Sequence, residues 1–351
     1  MKTPVVALSR AFSLNGLEPV AFQAEWPDAL NSTIQKVAHF FWNLISIVIF
    51  PILIARGLFV LLQDQIFRRA VMPGAPDYTW PKAGVSMVHA GGERITLSTP
   101  DKAKLDAVFF EGKEKKAIIL AFGNGVQWEC CEEKVSQLRK QFPEVSFLLI
   151  NPRGIGLSQG YHSSQGHALD IYTTYEYLHK NKKIDLDNIL LIGHSLGAAY
   201  GSMGAALVQQ QYPNAKISMI HNRSFSTLTK EVAAFLSKLL SFLIWPLGIE
   251  MDSQTAFEKL KGKRCVIYAR EDHLIPYEAS LHKGLKDAHR SKHCDVIEMN
   301  SSKWIDNHNR DFNPKEAIDF TQKVEKYLHL PKRNLNWDEV IQDQDEIRPP
   351  S

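Results

Sequence analysis

The stretch Ile189-Leu190-Leu191-Ile192-Gly193-His194-Ser195-Leu196-Gly197 decides the fold of this chain. Its first four residues are uniformly apolar, which is typical of a strand buried on both faces of a parallel sheet. Residues rich in Gly and Ala follow Gly197 and predict a helix that approaches the sheet closely. Glycine on both sides of Ser195 removes Cβ clashes, and this indicates a sharp strand-to-helix turn that exposes the serine hydroxyl.

On either side of this stretch, short apolar runs predict further strands of a parallel sheet. The runs are Ala117–Phe122, Val145–Ile150, Ile217–Ile220, Cys265–Ala269 and Val296–Met299. Ahead of them, Arg94–Ser98 and Leu105–Phe110 flank the turn-forming Thr99–Lys102 and predict a hairpin. Helix-like segments lie between the runs, and this alternation predicts an α/β fold with a mostly parallel sheet and helices on both faces.

The composition divides the chain into three parts. Residues 1–83 form an N-terminal extension that contains the strongly apolar segment 39–63. Residues 84–330 carry the alternating strands and helices, and residues 331–351 form a polar, acidic tail. A domain of the size of the middle part buries a large core without disulfides or metals.

The charge balance and the cysteines limit the classes of partner. The net charge is +3, from 41 basic and 38 acidic residues, and gives no reason to expect a nucleic-acid partner. The four cysteines, at positions 130, 131, 265 and 294, lack the spacing of a metal site, so we expect reduced thiols in a cytosol-like compartment. No nucleotide-binding glycine motif occurs, and we therefore expect neither a metal nor a cofactor.

Ser195 becomes a nucleophile only if a base takes its proton, and that base needs an acid that holds its tautomer. In this architecture both partners follow the serine along the chain. Asp272 lies just after the run Cys265–Ala269, at the sheet edge where the carboxyl ends of parallel strands meet and ligands bind. Glu271 is the rival for the acid, because adjacent residues leave a strand in different directions.

His308 is the candidate base, chosen from 13 histidines because it lies between the last strand and the last helix. That helix has a clear start signal, with Asn313 as its cap, Pro314 at its first position and Glu316 three residues after the cap. Histidines in the helix-like segment after Asp272 are expected at the surface.

An oxyanion needs fixed N–H donors close to the nucleophile. One donor is expected on Leu196, the residue after the nucleophile. The other is expected in the glycine-rich turn Gly123–Val126 after an early strand, where glycine allows close backbone approach. Asn124 is the first choice in that turn and Gly125 the second.

These residues together resemble the α/β-hydrolase superfamily over about residues 85–330. Asn151–Gly160 is similar to the superfamily's Arg-Gly-x-Gly-x-Ser-x-Gly loop, and Thr96–Phe110 is similar to its entry hairpin. Phe122 stands where the superfamily usually has a histidine, and no glycine precedes His308. The subgroup it resembles is the monoacylglycerol-lipase and acyl-hydrolase branch and, more loosely, the uncharacterised hydrolases of intracellular bacteria.

The resemblance implies a serine hydrolase of the esterase, lipase or thioesterase type that needs no cofactor. It implies that Ser195, Asp272 and His308 are the nucleophile, acid and base, and that Asn124 and Leu196 supply the oxyanion hole. The alternative is a non-catalytic scaffold that keeps the fold and binds a membrane or a partner. The sequence leaves the oligomeric state open.

Two apolar segments favour a small-molecule or lipid acyl ester as the substrate. In this superfamily an insertion such as the one at about 226–258 usually caps the site, and here it is either an acyl-binding cap or a cap packed for ordinary burial. The segment 39–63 either associates with a membrane surface or packs against the cap. Because Arg68 and Arg69 follow it, we expect a membrane-associated protein with a cytoplasm-facing catalytic domain, or a cytoplasmic protein.

Overall fold

The structure is a computed structural model that describes residues 37, 54–66, 68–69, 86–235, 238–242, 244, 248–289, 294–301 and 305–332. The chain divides into two compact units, Met1–Ile66 and Phe67–Ser351. In the first unit residues 54–66 are helical, while the rest of segment 39–63 lies outside the described residues. Most of the predicted tail also lies outside them, and the three-part division stays a prediction. Across the described residues, no helix is both long enough and apolar enough to cross a bilayer.

One sheet organises the described part of the second unit. Its strands are β1 (Glu93–Ser98), β2 (Lys104–Phe110), β3 (Ala117–Ala121), β4 (Ser146–Ile150), β5 (Ile189–His194), β6 (Ser218–Asn222), β7 (Arg264–Ala269) and β8 (Asp295–Met299). They lie in the order β1-β2-β4-β3-β5-β6-β7-β8. β2 pairs antiparallel with β1 and with β4, and all other neighbours in this sheet are parallel. The predicted hairpin and the mostly parallel sheet are confirmed.

Helices cover both faces of this sheet. They are α1 (Glu132–Gln141), α2 (Ser164–Lys180), α3 (Leu196–Gln211), α4 (Leu228–Phe235), α5 (Lys238–Ser241), α6 (Ser253–Glu258), α7 (Leu281–Asp287) and α8 (Pro314–Leu328). The connections β3-α1-β4 and β4-α2-β5 run in opposite directions, so right-handed crossovers place α1 and α2 on opposite faces. α2, α3 and α6 pack together, whereas Gln141 of α1 donates a 2.5 Å hydrogen bond to Thr321 of α8.

The central strands are buried along nearly their whole length. Every residue of β3, β4 and β6 is buried, and β5 is buried as far as Gly193. Strands covered on both faces need side chains that tolerate burial throughout, which explains the continuous apolar runs. β6 departs from this pattern because His221 and Asn222 are polar yet buried. The apolar pattern therefore predicted a strand that ends at Ile220, two residues before its end in the structure.

The start of α8 follows its sequence signal closely. Asn313 accepts a hydrogen bond from the Glu316 N–H at 2.9 Å, and the Glu316 carboxylate accepts one from the Asn313 N–H at 2.9 Å. The same carboxylate forms an ion pair with Arg310 at 2.8 Å. The predicted capping box is confirmed, and it fixes the chain directly after the loop that carries His308.

The predicted insertion lies between β6 and β7 and contains the helices α4, α5 and α6. α4 packs against the short helical turn Tyr277–Ala279, which follows the loop of Asp272. Residues 236 and 237, between α4 and α5, and several side chains of these two helices lie outside the described part of the chain. Phe242, just after α5, is 76% exposed, so this segment offers a large apolar side chain to its surroundings.

A buried histidine in β6 makes the stability of this unit sensitive to acid. Both ring nitrogens of His221 are buried and have no hydrogen-bond partner among the residues that the structure describes, and the ring lies edge-on to Phe257 at 5.7 Å. Burial lowers the pKa of His221 to about 3. The unfolded chain takes up a proton near the ordinary pKa of about 6.5, while the folded chain stays neutral. The free energy of unfolding should therefore fall as the pH drops from about 6.5 towards 3, by at most about 5 kcal/mol from this group.

We expect His221→Leu to raise the free energy of unfolding at pH 7 by about 1–2 kcal/mol, because two unpaired polar atoms leave the core. The variant should also lose less stability than the wild type between pH 7 and pH 5. Urea denaturation at both pH values measures this, with the exposed His89→Leu as the matched control. Equal losses in the wild type and His221→Leu would show that His221 is not the acid-sensitive group.

Candidate active site

Ser195 occupies a strained turn between β5 and α3. Its backbone angles are φ 53° and ψ −132°, a region that costs a residue with a Cβ roughly 1–3 kcal/mol. A Cβ on Gly193 would lie 2.5 Å from the Ala198 Cα, and one on Gly197 would lie 2.3 Å from two backbone oxygens at the end of β3. Both glycines are thus required by close backbone approach, as the sequence predicted for a turn that exposes the serine hydroxyl.

The structure brings Ser195, His308 and Asp272 together in one hydrogen-bonded row. The His308 Nε2 lies 2.8 Å from the Ser195 Oγ, and the His308 Nδ1 lies 2.9 Å from the Asp272 Oδ2. His308 is 2% exposed and Asp272 is 7% exposed. A neutral imidazole that donates from Nδ1 to the carboxylate leaves Nε2 free to accept the hydroxyl proton of Ser195.

The carboxylate of Asp272 is fixed by its own loop. Its Oδ1 accepts the N–H groups of Leu274 and Ile275, each at 2.9 Å, which leaves Oδ2 for His308. Glu271, the rival for the acid, is exposed, and its backbone carbonyl accepts a hydrogen bond from the Asn307 side chain at 2.7 Å. The loop therefore turns Asp272, not Glu271, towards the imidazole.

The glycine-rich turn after β3 lies against the nucleophile. A Cβ on Gly123 would be 3.0 Å from the Ser195 Cβ. The carbonyl of Phe122, just before the turn, accepts a hydrogen bond from the Tyr200 hydroxyl at 2.9 Å. Asn124, the residue after Gly123, is exposed.

Leu196 is the first residue of α3, and N–H groups in the first turn of a helix lack an intrahelical acceptor. The N–H of Leu196 is therefore available to a ligand beside Ser195, at the positive end of the helix dipole. The role of Asn124 and Leu196 as an oxyanion hole stays a prediction.

Two titratable groups near these residues are neutral at pH 7. Burial holds the pKa of His194 well below its usual range, and its ring centroid lies 5.1 Å from that of His308. Burial, with the nearby Asp272 as a second cause, raises the pKa of Glu231 in α4 to about 8. Neither of these two groups adds a charge beside His308 and Asp272 at neutral pH.

Sequence reasoning missed three residues that support the site. Asn222 accepts the Ser195 N–H on its backbone carbonyl at 2.9 Å. Arg223 is 4% exposed and donates to the loop of His308, and Asn307 is fully buried beside His308. None of the three belongs to a known sequence motif. Asn222 and Arg223 are marked only by being polar residues at the end of a strand that is otherwise largely apolar. Among the described residues, no group of three or more His, Cys, Asp or Glu side chains is arranged to hold a metal ion.

Comparison with known proteins gives relatives for about half of the chain. WAV2 of Arabidopsis thaliana, an alpha/beta hydrolase domain-containing protein, is 25% identical over 195 residues, which is 55% of this chain and 60% of the plant protein. An uncharacterized protein of Mycobacterium tuberculosis is 27% identical over 176 residues, covering 49% of this chain and 59% of its own. The multifunctional-autoprocessing repeats-in-toxin of Vibrio vulnificus is 28% identical over 152 residues, 42% of this chain and 3% of the toxin. The chain thus spans three fifths or less of these curated relatives, and no family model matches it.

Solved structures resemble a larger share of the chain. The alpha-beta hydrolase of Vibrio vulnificus covers 77% of this chain and 94% of its own, with a TM-score of 0.57 and 17% identity. An esterase of Pyrococcus furiosus covers 68% of this chain and 90% of its own, with a TM-score of 0.51 and 19% identity. At these identities the likeness establishes a shared fold and leaves the substrate open.

Proposed function

We propose that this chain, which has the fold of the α/β-hydrolases, is a serine hydrolase that cleaves a carboxylic ester or thioester through an acyl-enzyme. The observation that carries this proposal is the continuous row from the Ser195 Oγ through His308 to Asp272, at 2.8 Å and 2.9 Å. The backbone strain at Ser195 supports it, because strained residues that a fold retains cluster at functional sites.

In the proposed mechanism, the Ser195 Oγ attacks the acyl carbonyl carbon while the His308 Nε2 takes the hydroxyl proton. Asp272 stabilises the imidazolium that forms, and the N–H groups of Leu196 and Asn124 bind the negative oxygen of the tetrahedral intermediate. Each such donor contributes about 3 kcal/mol to transition-state stabilisation. His308 then protonates the leaving alcohol or thiol, and a water molecule activated by the same imidazole releases the acyl group from Ser195.

The apolar insertion supports a lipid or other long-chain acyl substrate. Residues 232–247 of the insertion carry a single charged residue, Lys238, and Phe242 after α5 presents an exposed aromatic ring. Burying an acyl chain against such side chains contributes roughly 0.8 kcal/mol for each methylene. A cap of this composition favours hydrolysis of esters whose acyl group is long enough to reach it.

The N-terminal extension supports a protein that works at a membrane surface. Segment 39–63 is strongly apolar, and Arg68 and Arg69 follow it. Basic residues beside an apolar segment favour the cytoplasmic side of a membrane. A catalytic domain held at that surface reaches lipid esters without first extracting them into water.

A panel of p-nitrophenyl esters from acetate to palmitate tests the function and the substrate class together. We expect kcat/KM to rise about fourfold per added methylene until the apolar surface is filled, and phospholipid vesicles to raise the rate on the longest esters. Phe242→Ser should reduce this preference without slowing acetate hydrolysis, and Val296→Ser, an exposed apolar residue on β8, is the matched control. Fastest turnover of acetate would contradict the lipid substrate, and no turnover of esters or thioesters would contradict the hydrolase.

A further inference from the structure

Two neighbouring strands end on strained residues at the same edge of the sheet. β5 leads into Ser195 with φ 53°, and β6 leads into Arg223 with φ 47°. Such left-handed conformations are uncommon for residues that carry a Cβ and persist where the surrounding structure imposes them. The strain at Ser195 belongs to the nucleophile turn, whereas the strain at Arg223 needs another explanation.

Arg223 connects the elements that carry all three members of the row. Its N–H donates to the Ile267 carbonyl of β7 at 2.7 Å, on the strand that leads to Asp272. Its Nε donates to the Asn222 side chain at 3.0 Å, and the backbone carbonyl of Asn222 accepts the Ser195 N–H at 2.9 Å. With this positive φ, the side chain of Arg223 lies against that of Asn222, the last residue of β6.

The other end of the guanidinium holds the loop of the base. Its Nη1 donates to the Asn307 carbonyl at 3.2 Å and to the Arg310 carbonyl at 2.8 Å, on the two sides of His308. Asn307 is fully buried, and its side chain donates to the Glu271 carbonyl at 2.7 Å, directly before Asp272. Backbone atoms beside the base and beside the acid are therefore tied to each other and to the nucleophile strand.

This arrangement buries a cation. Arg223 is 4% exposed, its guanidinium lies 5.5 Å from the centre of the Phe312 ring, and burial lowers its pKa to about 10. The side chain therefore stays charged at neutral pH, and the nearby Asp272 offsets part of the cost of burying it. A buried cation of this kind is costly unless it is paired and hydrogen-bonded, and here Nε bonds the Asn222 side chain while Nη1 bonds two loop carbonyls of the site.

We propose that Arg223 and Asn307 are positioning residues that hold the His308 ring between the Ser195 hydroxyl and the Asp272 carboxylate. The inference rests on the proposed hydrolase function and adds two residues that touch neither the substrate nor the reacting atoms. Proton transfer requires the imidazole within hydrogen-bond reach of the hydroxyl, and a displacement of about 1 Å costs roughly 100-fold in rate.

The test compares Arg223→Met, Arg223→Lys and Asn307→Ala with Arg264→Met. Arg264 is a matched control because it also donates to two backbone carbonyls, those of Phe257 and Glu258, but lies at the opposite end of β7. We expect Arg223→Met to lower kcat for p-nitrophenyl acetate by roughly 10- to 100-fold, with KM changed less than about twofold. Arg223→Lys should not restore kcat, because an ammonium lacks the planar fork whose Nε bonds the Asn222 side chain while its Nη1 bonds the two loop carbonyls.

A second readout does not depend on activity. The proton on the His308 Nδ1 that bonds to Asp272 should give a downfield proton NMR signal, assigned by its absence in His308→Gln. We expect this signal in the wild type and Arg264→Met, and its loss or broadening in Arg223→Met and Asn307→Ala. Circular dichroism spectra and melting temperatures identify the variants that are folded.

The outcomes separate this inference from the proposed function. Folded Arg223→Met and Asn307→Ala with wild-type kcat and an unchanged downfield signal would overturn the positioning role while the hydrolase stands. An inactive wild type whose signal is still lost in Arg223→Met would overturn the hydrolase and keep the positioning role. If Arg223→Met does not fold, the milder Asn307→Ala decides by the same two measurements.

Discussion

Ser195→Ala is expected to lower kcat for an ester substrate by roughly 10⁶-fold, to the rate that the remaining site supports without a nucleophile. The loss corresponds to about 8 kcal/mol of transition-state stabilisation. It is this large because the hydroxyl makes the covalent intermediate, and because the Ser195 Oγ is the hydroxyl that lies 2.8 Å from the His308 Nε2. KM should change little, since the methyl side chain leaves the acyl-binding surfaces intact.

Steady-state kinetics on a p-nitrophenyl ester measure this effect. Ser202→Ala is the matched control, because Ser202 lies in the same helix, is buried, and uses its hydroxyl only locally to bond the Ala198 carbonyl and the Met219 sulfur. Ser202→Ala should keep kcat within about threefold of the wild type. Turnover by Ser195→Ala at more than about 1% of the wild-type rate would assign the chemistry to another nucleophile.

Asp272→Asn is expected to lower kcat by roughly 10⁴-fold, or about 5.5 kcal/mol. The reason lies in how the carboxylate is held. Its Oδ1 accepts two loop N–H groups, so the amide oxygen of asparagine should take that place and turn its NH₂ group towards His308. The His308 Nδ1 must then accept instead of donate, which puts the ring proton on Nε2 and removes the base for Ser195.

Glu271→Gln is the matched control for the acid, because it removes a carboxylate from the adjacent, exposed position. It should leave kcat within about twofold of the wild type, since exposed charges interact weakly across water. The pair of variants, assayed at several pH values, measures which carboxylate serves His308. A small loss of kcat in Asp272→Asn together with a large loss in Glu271→Gln would show that Glu271 is the acid that serves His308.

The parts of the fold and site that the sequence predicted are those governed by local physics. The apolar run Ile189–Ile192 and the glycines around Ser195 indicate a buried strand and a turn without room for a Cβ, and the structure has both. The cap of α8 also depends on neighbours within four residues of Asn313, and it forms as predicted. The order of Asp272 and His308 along the chain, relative to strands and helices, predicts that they meet Ser195, and the structure brings the three side chains together.

The parts that the sequence could not predict depend on contacts between distant segments. Choosing between Glu271 and Asp272 requires the direction of each side chain, which the hydrogen bonds of the folded loop decide. Arg223 donates hydrogen bonds to carbonyls that lie 84 and 87 residues further along the chain, and no local sequence pattern predicts such contacts. The burial of polar residues in β6 likewise follows from coverage by helices and not from composition.

The intact row of three side chains also weighs against a non-catalytic scaffold. A scaffold that binds a membrane or a partner has no need for the strained φ of Ser195 or for a buried imidazole 2.8 Å from its hydroxyl. Strain and buried polar groups both cost stability, and hydrolysis gives them a role.

The most direct test of the central claim is covalent labelling by a fluorophosphonate, which reacts with a serine only when a base has activated its hydroxyl. Mass spectrometry of the digested protein then locates the adduct. We predict one adduct on the peptide that contains Ser195 in the wild type, none in Ser195→Ala, and much slower labelling in His308→Gln. Equal labelling of the wild type and Ser195→Ala, or an unlabelled wild type, would contradict the claim that His308 and Asp272 make Ser195 a nucleophile.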